Sequence, residues 1–303
     1  MRDHGAEDES PSGRQFQLTR GPWRATVVEV GAGLRMLSVD GREVLDGYSR
    51  HVGCTGARGL PLITSLDRSP VRTVGTAGTA GTAGTDEVHL PRSQRWICRE
   101  QSDHHVLLGV DVRSTRNGAD CLDVSVEYQL SRSGLTVCTT AVNTGIQTCS
   151  YAAAHQPYLK FGSRIDACHL RIAADRYIST DPHSAALTTQ ASCGSEFDFS
   201  SAAAIGRQNL EVAFTGFHRD ADGRAWLWLT DRCGATTALW VDQSYPFIEV
   251  YTSHTQAPPH FRTSLGVKPA TCAPGARRSG EGLLMLAPGQ STSSTWGITA
   301  PPS

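Results

Sequence analysis

The chain consists of short runs of β-branched and aromatic residues, and no long segment repeats its apolar residues every 3.6 positions or so, as a helix does. The run from Leu122 to Tyr128 alternates apolar and polar residues, which is typical of a half-buried antiparallel strand. Pairs such as Ser133-Gly134 and Asp222-Gly223 favour tight turns and predict hairpins between neighbouring runs. We therefore expect an all-β fold, a large antiparallel β-sandwich. The other predicted strands are Ala25–Val30, His105–Val110, Leu135–Thr140, Ala225–Leu229 and Thr237–Val241.

The domain organisation follows from length and composition. The chain has 303 residues, and all-β domains of about 200–250 residues or more occur as single units. Residues 1–20 are predicted to be a disordered polar leader, and residues 21–300 a single domain. Residues 75–85 repeat the triplet Gly-Thr-Ala, and a repeat this small and glycine-rich predicts a flexible loop.

Charge and composition exclude several classes of partner. The formal net charge is −1, from 28 basic and 29 acidic residues, so neither nucleic acid nor an anionic membrane is an expected partner. The polar N-terminus lacks the apolar segment of a signal peptide, and no apolar run reaches the length of a membrane span. The nine cysteines are odd in number and widely scattered, and with no signal peptide they indicate reduced thiols in a cytoplasmic protein. The absence of any CxxC pair makes a zinc site unexpected. A small, neutral or weakly charged ligand is the expected partner of a monomer or homodimer.

Two histidines are candidates for proton transfer. His155 follows three alanines and precedes Gln156-Pro157-Tyr158, which places an imidazole at the end of a predicted strand. Such a residue is suited to general acid–base catalysis, or is an inert histidine with its hydrogen bonds satisfied. His89 follows the Gly-Thr-Ala loop, where a histidine is more often a surface residue than a catalytic one.

Carboxylates, an arginine and aromatic residues could hold a polyhydroxylated ligand. Asp242 directly follows an apolar strand and precedes Tyr245, a combination that suits the rim of a sugar-binding groove. The local alternative for Asp242 is a turn-forming side chain. Asp67 and Arg68 precede the flexible loop and are either surface charges or hydrogen-bonding partners of sugar hydroxyls.

The order and spacing of several motifs along the chain resemble the aldose 1-epimerase, or galactose mutarotase-like, family. The resemblance covers nearly everything after the leader, although no single motif is decisive. The matching stretches are residues 25–35, 39–47, 58–59, 67–68, 154–158, 196–199, 205–206, 242–252, 262–276, 280–283 and 286–289.

This resemblance implies the family's galactose mutarotase-like supersandwich fold, with a sugar site in a cleft, and the interconversion of the α and β anomers of a free sugar. In that reaction a glutamate takes the proton of the O1 hydroxyl and a histidine protonates the ring oxygen, without a cofactor. Carried over by motif, His155 matches the histidine acid and Asp242 a sugar-contacting aspartate. Arg68 matches an arginine that contacts hydroxyls, although Asp67 replaces the usual asparagine before it. His89 is the nearest match to a second histidine, but Leu90 follows it in place of glycine.

The sequence departs from the family at the general base. The motif Val-Glu-Pro-Met-Thr carries the base, and this chain has Val267-Lys268-Pro269-Ala270-Thr271 at the end of an apolar run. A lysine with an ordinary pKa of about 10.4 is an ammonium at neutral pH and cannot accept a proton.

Three explanations for Lys268 stay open. In the first, the protein is a carbohydrate-binding protein that has lost catalysis. In the second, burial lowers the pKa of Lys268 until it acts as a base or an amine nucleophile. In the third, the fold has been recruited to another reaction, as a cyclase or isomerase of secondary metabolism, with His155 and Lys268 as its acid–base pair. The structural alternative is a lysine that extends its ammonium to solvent.

Overall fold

The computed structural model describes residues 10–54, 58–64, 93–113, 121–179, 187–258 and 260–300. Over these ranges the chain is almost entirely β-structure, with a 3₁₀ turn at Ile165–Ala167 and one short helix, α1 (Ala276–Ser279). No described helix has the length and apolarity that crossing a membrane requires. The strands are β1 (Gln15–Arg20), β2 (Trp23–Val28), β3 (Leu34–Val39), β4 (Arg42–Glu43), β5 (Pro61–Thr64), β6 (Ile97–Gln101), β7 (His105–Arg113), β8 (Cys121–Leu130), β9 (Leu135–Asn143), β10 (Cys149–His155), β11 (Tyr158–Leu159), β12 (His169–Ile172), β13 (Ala174–Ser179), β14 (Thr189–Ala191), β15 (Ala203–Ala204), β16 (Glu211–Phe217), β17 (Ala225–Thr230), β18 (Thr236–Val241), β19 (Phe247–Tyr251), β20 (Leu265–Ala270), β21 (Leu284–Leu286) and β22 (Ser291–Thr299).

The described strands form three antiparallel sheets, which confirms the predicted all-β class. The first large sheet has the order β14-β13-β16-β19-β20-β10-β21, with β11 paired to β20 and β5 paired to β10. The second large sheet has the order β15-β12-β17-β18-β22-β9-β8-β7-β6. A smaller sheet contains β1 to β4 in sequence order. One cluster of buried apolar residues draws on all three sheets. The single domain over residues 21–300 stays a prediction.

Alternation of side chains explains why β9, in the second sheet, packs on one face only. In β9 every other residue from Leu135 to Asn143 is buried, because side chains of a strand point alternately to its two faces. The β8–β9 hairpin closes at Ser133-Gly134, where the Ser131 N–H donates to the Gly134 carbonyl at 2.8 Å. Asp222-Gly223 also lies in a turn, but the predicted hairpin there is wrong, since β16 and β17 belong to different sheets.

Strand β20 continues through Pro269, which the sequence suggested as its end. The N–H groups of Val267 and Thr271 donate to the carbonyls of Pro157 and Ala153, both at 2.9 Å. Pro269 lies between these two donors and has no N–H to offer. The neighbouring chain is interrupted at the same level by residues 156–157, between β10 and β11, so the missing donor breaks no regular ladder.

The smaller sheet begins inside the predicted leader. Strand β1 pairs with β2 along its whole length, and Phe16 and Leu18 are buried in the core. The disordered leader was therefore predicted too long at its C-terminal end. Phe16 and Leu18 alternate with Gln15, Gln17 and Thr19, a period of two that identifies a strand with one buried face. Residues 1–9 and the Gly-Thr-Ala loop at 75–85 lie outside the described residues.

Strand β1 provides a direct test of this correction. We expect Leu18→Ala to lower the free energy of unfolding by about 2–5 kcal/mol, because it removes a buried side chain and leaves a cavity. Gln17→Ala, at the exposed neighbouring position, should stay within about 0.5 kcal/mol of the wild type. Urea denaturation would measure both free energies of unfolding. If both variants change it by less than about 0.5 kcal/mol, residues 15–20 do not form a buried strand.

Candidate active site

Lys268 lies on the face of the first large sheet that points away from the main core. It is directly opposite Glu249 in the antiparallel pair of β19 and β20. The adjacent pair, Val250 and Val267, belongs to the main core, so Glu249 and Lys268 project from the opposite face. We call this the site face. Its apolar floor is a second, smaller cluster made by Ala154, Ile178, Ala213, Phe247, Ala270 and Ala273.

Three polar side chains are joined on the site face. The Lys268 ammonium lies 3.0 Å from Oε1 of Glu249. The Tyr251 hydroxyl donates a hydrogen bond to Oε2 of the same carboxylate. The Glu249 side chain is only 7% exposed, whereas that of Lys268 is 22% exposed. A buried carboxylate thus presents one oxygen to an ammonium and the other to a phenol.

The environment of Tyr251 keeps its proton in place. Burial raises the pKa of Tyr251 well above its ordinary value, and the charge of Glu249 and the hydrogen bond to it raise the pKa further. Tyr251 is therefore a hydrogen-bond donor to Glu249 at neutral pH.

Two tyrosine rings flank a glycine on the same face. Tyr158 and Tyr251 lie on either side of Gly266 in the strand register. A Cβ atom at Gly266 would lie 3.0 Å from Cε1 of Tyr158 and 3.3 Å from Cδ2 of Tyr251, so a side chain there would crowd both rings. Gln156 donates to the Tyr158 hydroxyl at 2.9 Å. Both rings therefore pack against Gly266, next to the ion pair.

A second ion pair adjoins Tyr158. The Arg58 guanidinium carbon is 4.7 Å from the centre of the Tyr158 ring, and Arg58 forms a buried salt bridge with Asp46. Asp46 also accepts a hydrogen bond from the Ser264 hydroxyl at 3.0 Å and lies 3.3 Å from Nδ1 of His260. Burial alone would raise the pKa of Asp46, but the Arg58 charge, together with hydrogen bonds from Arg58 and Ser264, holds it below its ordinary value.

These groups give the site face the elements of a small polar binding site. Arg58, Lys268 and Tyr158 carry donors, and Asp46 and Glu249 carry acceptors. Each of these charged groups forms an ion pair with another, so the site face has no net charge that a ligand would have to neutralise. Within the described residues, no group of three or more histidine, cysteine, aspartate or glutamate side chains is arranged to hold a metal ion.

His155 lies on the opposite face of the same sheet. It is 1% exposed, and its Nε2 is 2.8 Å from the Thr139 hydroxyl. Its ring is also 5.2 Å from that of Trp296, and both neighbours belong to the second large sheet. Because Ala154 contributes to the site face, the pleat turns His155 inward. The structure therefore does not bring His155 and Lys268 together as one acid–base pair.

Asp242 and Tyr245 also lie away from the site face. Asp242 directly follows β18 and closes a turn: the N–H of Ser244 donates to its Oδ1 and that of Thr295 to its Oδ2, both at 3.0 Å. Tyr245 is fully buried, and its hydroxyl is 3.2 Å from that of Ser294. The turn-forming alternative for Asp242 thus fits the structure better than a sugar contact. Asp67, Arg68 and His89 fall outside the described residues, so their predicted roles stay predictions.

Sequence reasoning missed Glu249, Tyr251 and the pair of Asp46 with Arg58. Glu249 and Tyr251 alternate with Ile248 and Val250, a pattern that places the polar pair on one face of a strand. That pattern could have identified Glu249. Its pairing with Lys268 depends on strand register, which no local motif encodes.

The burial of His155 predicts a stability that depends on pH. Burial lowers the pKa of His155 to about 3, whereas an unfolded histidine has a pKa near 6.5. The unfolded chain therefore binds a proton that the folded protein excludes. The stabilisation is complete above about pH 6.5 and is lost as the pH falls towards 3, by about 1.4 kcal/mol for each pH unit.

We expect His155→Gln to show a shallower loss of stability between pH 7 and 4 than the wild type. His169→Gln, which removes an exposed histidine, is the matched control and should follow the wild-type slope. Urea midpoints at several pH values would measure this difference. Parallel slopes for all three proteins would contradict the neutral, buried state of His155.

Comparison with known proteins agrees with this fold. A family model described as aldose 1-epimerase matches residues 90–299, more than half of the chain. No curated protein sequence matches the chain.

Solved structures with similar folds include a GalM/aldose epimerase homologue from C. elegans, with 15% identity, a TM-score of 0.77, and coverage of 95% of this chain and 98% of that one. A galactose mutarotase-like protein from Clostridium acetobutylicum has 14% identity, a TM-score of 0.75 and 95% coverage of both chains. A galactose 1-epimerase from Lactobacillus acidophilus NCFM has 15% identity, a TM-score of 0.68, and coverage of 93% and 92%. These structures share the galactose mutarotase-like β-sandwich, and with the match to the family model they show that the chain belongs to the aldose 1-epimerase family.

Proposed function

We propose that this protein is an isomerase that interconverts the anomers of a sugar, or of a sugar-like cyclic hemiacetal, by general acid–base catalysis on the site face. The observation that carries the proposal is the contact between Lys268 and Glu249, which sets a proton donor and an acceptor 3.0 Å apart. Membership of the aldose 1-epimerase family supports this class of reaction.

The surroundings of the pair support a sugar ligand. The Tyr158 and Tyr251 rings flank Gly266 next to the pair, and aromatic side chains with a few fixed polar groups are characteristic of small-molecule sites. Arg58 and Asp46 hold one another beside Tyr158 and offer further hydrogen-bonding atoms for hydroxyl groups. Because each charge has a partner of opposite sign, a neutral polyhydroxylated ligand fits better than a charged one.

The proposal assigns the chemistry to a different acid from the one that the motifs suggested. His155 is buried between the sheets and faces Thr139 and Trp296, away from the site face, and burial lowers its pKa so that it is not an imidazolium acid at pH 7. Arg68, Asp67 and His89 remain proposed contributors to substrate binding or catalysis, as the family resemblance implies.

Anomer exchange of freshly dissolved α-galactose and α-glucose tests the proposed function. We expect the wild-type protein to raise the first-order rate constant in proportion to protein concentration, because a fixed donor and acceptor typically accelerate proton transfer by about 100-fold or more. Polarimetry would measure the relaxation, and heat-denatured protein at the same concentration is the control.

Two other outcomes would contradict the proposal. Sugar binding in a calorimetric titration without acceleration would indicate a carbohydrate-binding protein that has lost catalysis. If the protein neither binds nor accelerates any sugar in a panel of hexoses, pentoses and phosphorylated hexoses, the fold has been recruited to another reaction.

A further inference from the structure

We propose that Lys268 and Glu249 act together as one bifunctional acid–base pair at the hemiacetal carbon. In this reaction the ammonium of Lys268 protonates the ring oxygen, and the carboxylate of Glu249 accepts the proton of the anomeric hydroxyl. This inference rests on the proposed function and assigns the catalytic residues within it.

The separation of the two groups matches the reacting atoms. The Lys268 ammonium and Oε1 of Glu249 are 3.0 Å apart. The ring oxygen and the hydroxyl oxygen of a hemiacetal share one carbon, so a donor and an acceptor that are already in contact can reach both oxygens from one side. A carboxylate oxygen accepts more than one hydrogen bond, and Oε1 can therefore receive the hydroxyl while Lys268 remains beside it.

The protons balance over one cycle. The hydroxyl proton passes to Glu249 and a proton of Lys268 passes to the ring oxygen. The C1–O5 bond breaks with its electron pair on the ring oxygen, and the C1–O1 bond becomes the carbonyl. The open-chain aldehyde then rotates. Ring closure returns the proton of the O5 hydroxyl to Lys268 and the proton of Glu249 to O1, which yields the other anomer and restores the ion pair.

The buried setting favours this transfer. The two charges are held next to an apolar floor that includes Ala213, Phe247 and Ala270, where desolvation makes an ion pair costly. Proton transfer converts the pair into a neutral amine and a neutral acid. Ring opening therefore creates no new buried charge, and it removes the desolvation penalty of the original ion pair.

Tyr251 is a positioning residue in this scheme. Its hydroxyl donates to Oε2, which orients the carboxylate and directs the other oxygen towards Lys268. The tyrosine keeps its proton throughout, and Tyr251→Phe should reduce the rate less than loss of either member of the pair.

Four variants test the pair. Glu249→Gln and Lys268→Met each remove one proton-transfer group at nearly constant size, and we expect each to lower the catalysed rate by about 100-fold or more. Because the two groups act as a unit, Glu249→Gln/Lys268→Met should be no slower than the single variants. The transposed variant Glu249→Lys/Lys268→Glu keeps a donor and an acceptor in contact and should recover much of the lost rate.

Matched controls separate catalysis from folding. Glu127→Gln makes the same chemical change in another ion pair, with His105, on the solvent-facing side of the second large sheet, and should leave the rate unchanged. Thermal unfolding establishes that each variant is folded. The double variant is the decisive one if a single change leaves a buried charge unpaired and unfolds the protein, because it removes both charges.

The outcomes distinguish this inference from the proposed function. If the wild type accelerates anomer exchange but a folded Glu249→Gln/Lys268→Met variant stays within about threefold of it, the pair is structural and this inference is overturned, while the isomerase activity stands on the measured acceleration and other residues carry it. A transposed variant as slow as the neutral double variant would also overturn it. If the wild type does not accelerate the exchange of any sugar, the proposed function fails and the inference fails with it. A wild-type rate in heavy water that is unchanged from ordinary water would exclude the transfer of two protons in the rate-limiting step.

Discussion

The pleat of the first large sheet determines which side chains can meet. Side chains alternate between the two faces of a strand, so Glu249 and Lys268 share a face only because β19 and β20 pair in this register. The same alternation in β10 places Ala154 on the site face and His155 inside the sandwich. A register shift of one residue would exchange these positions and bury the ion pair among the valines of the core.

Much of the fold was predictable because it depends on local alternation. The strands around Leu122, Leu135, Ala225 and Thr237 lie where their patterns placed them. The assignment of strands to sheets was harder to predict, since Asp222-Gly223 forms a turn between two sheets, whereas Ser133-Gly134 closes a hairpin within one. Local chemistry specifies a turn, whereas the direction of the chain beyond it depends on packing.

Less of the candidate site than of the fold could be predicted from the sequence. Lys268 was recognised because a lysine replaces an expected glutamate, but its partner Glu249 lies in another strand 19 positions earlier in the chain. His155 was selected from its motif, and a motif does not report the face to which a side chain points. Asp242 illustrates a different reason: its carboxylate accepts backbone hydrogen bonds that complete a turn, an alternative that the sequence left open.

Direct pairing of Glu249 and Lys268 also constrains how such a site could have changed over time. A glutamate at 268 opposite Glu249 would place two negative charges in contact, and like charges directly opposite in a sheet are destabilising. A lysine at 268 opposite a neutral residue would be a partly buried charge without this partner. Either single step is unfavourable, so the two positions are energetically coupled, and exchanging their charges costs least when both residues change together or both are first neutral.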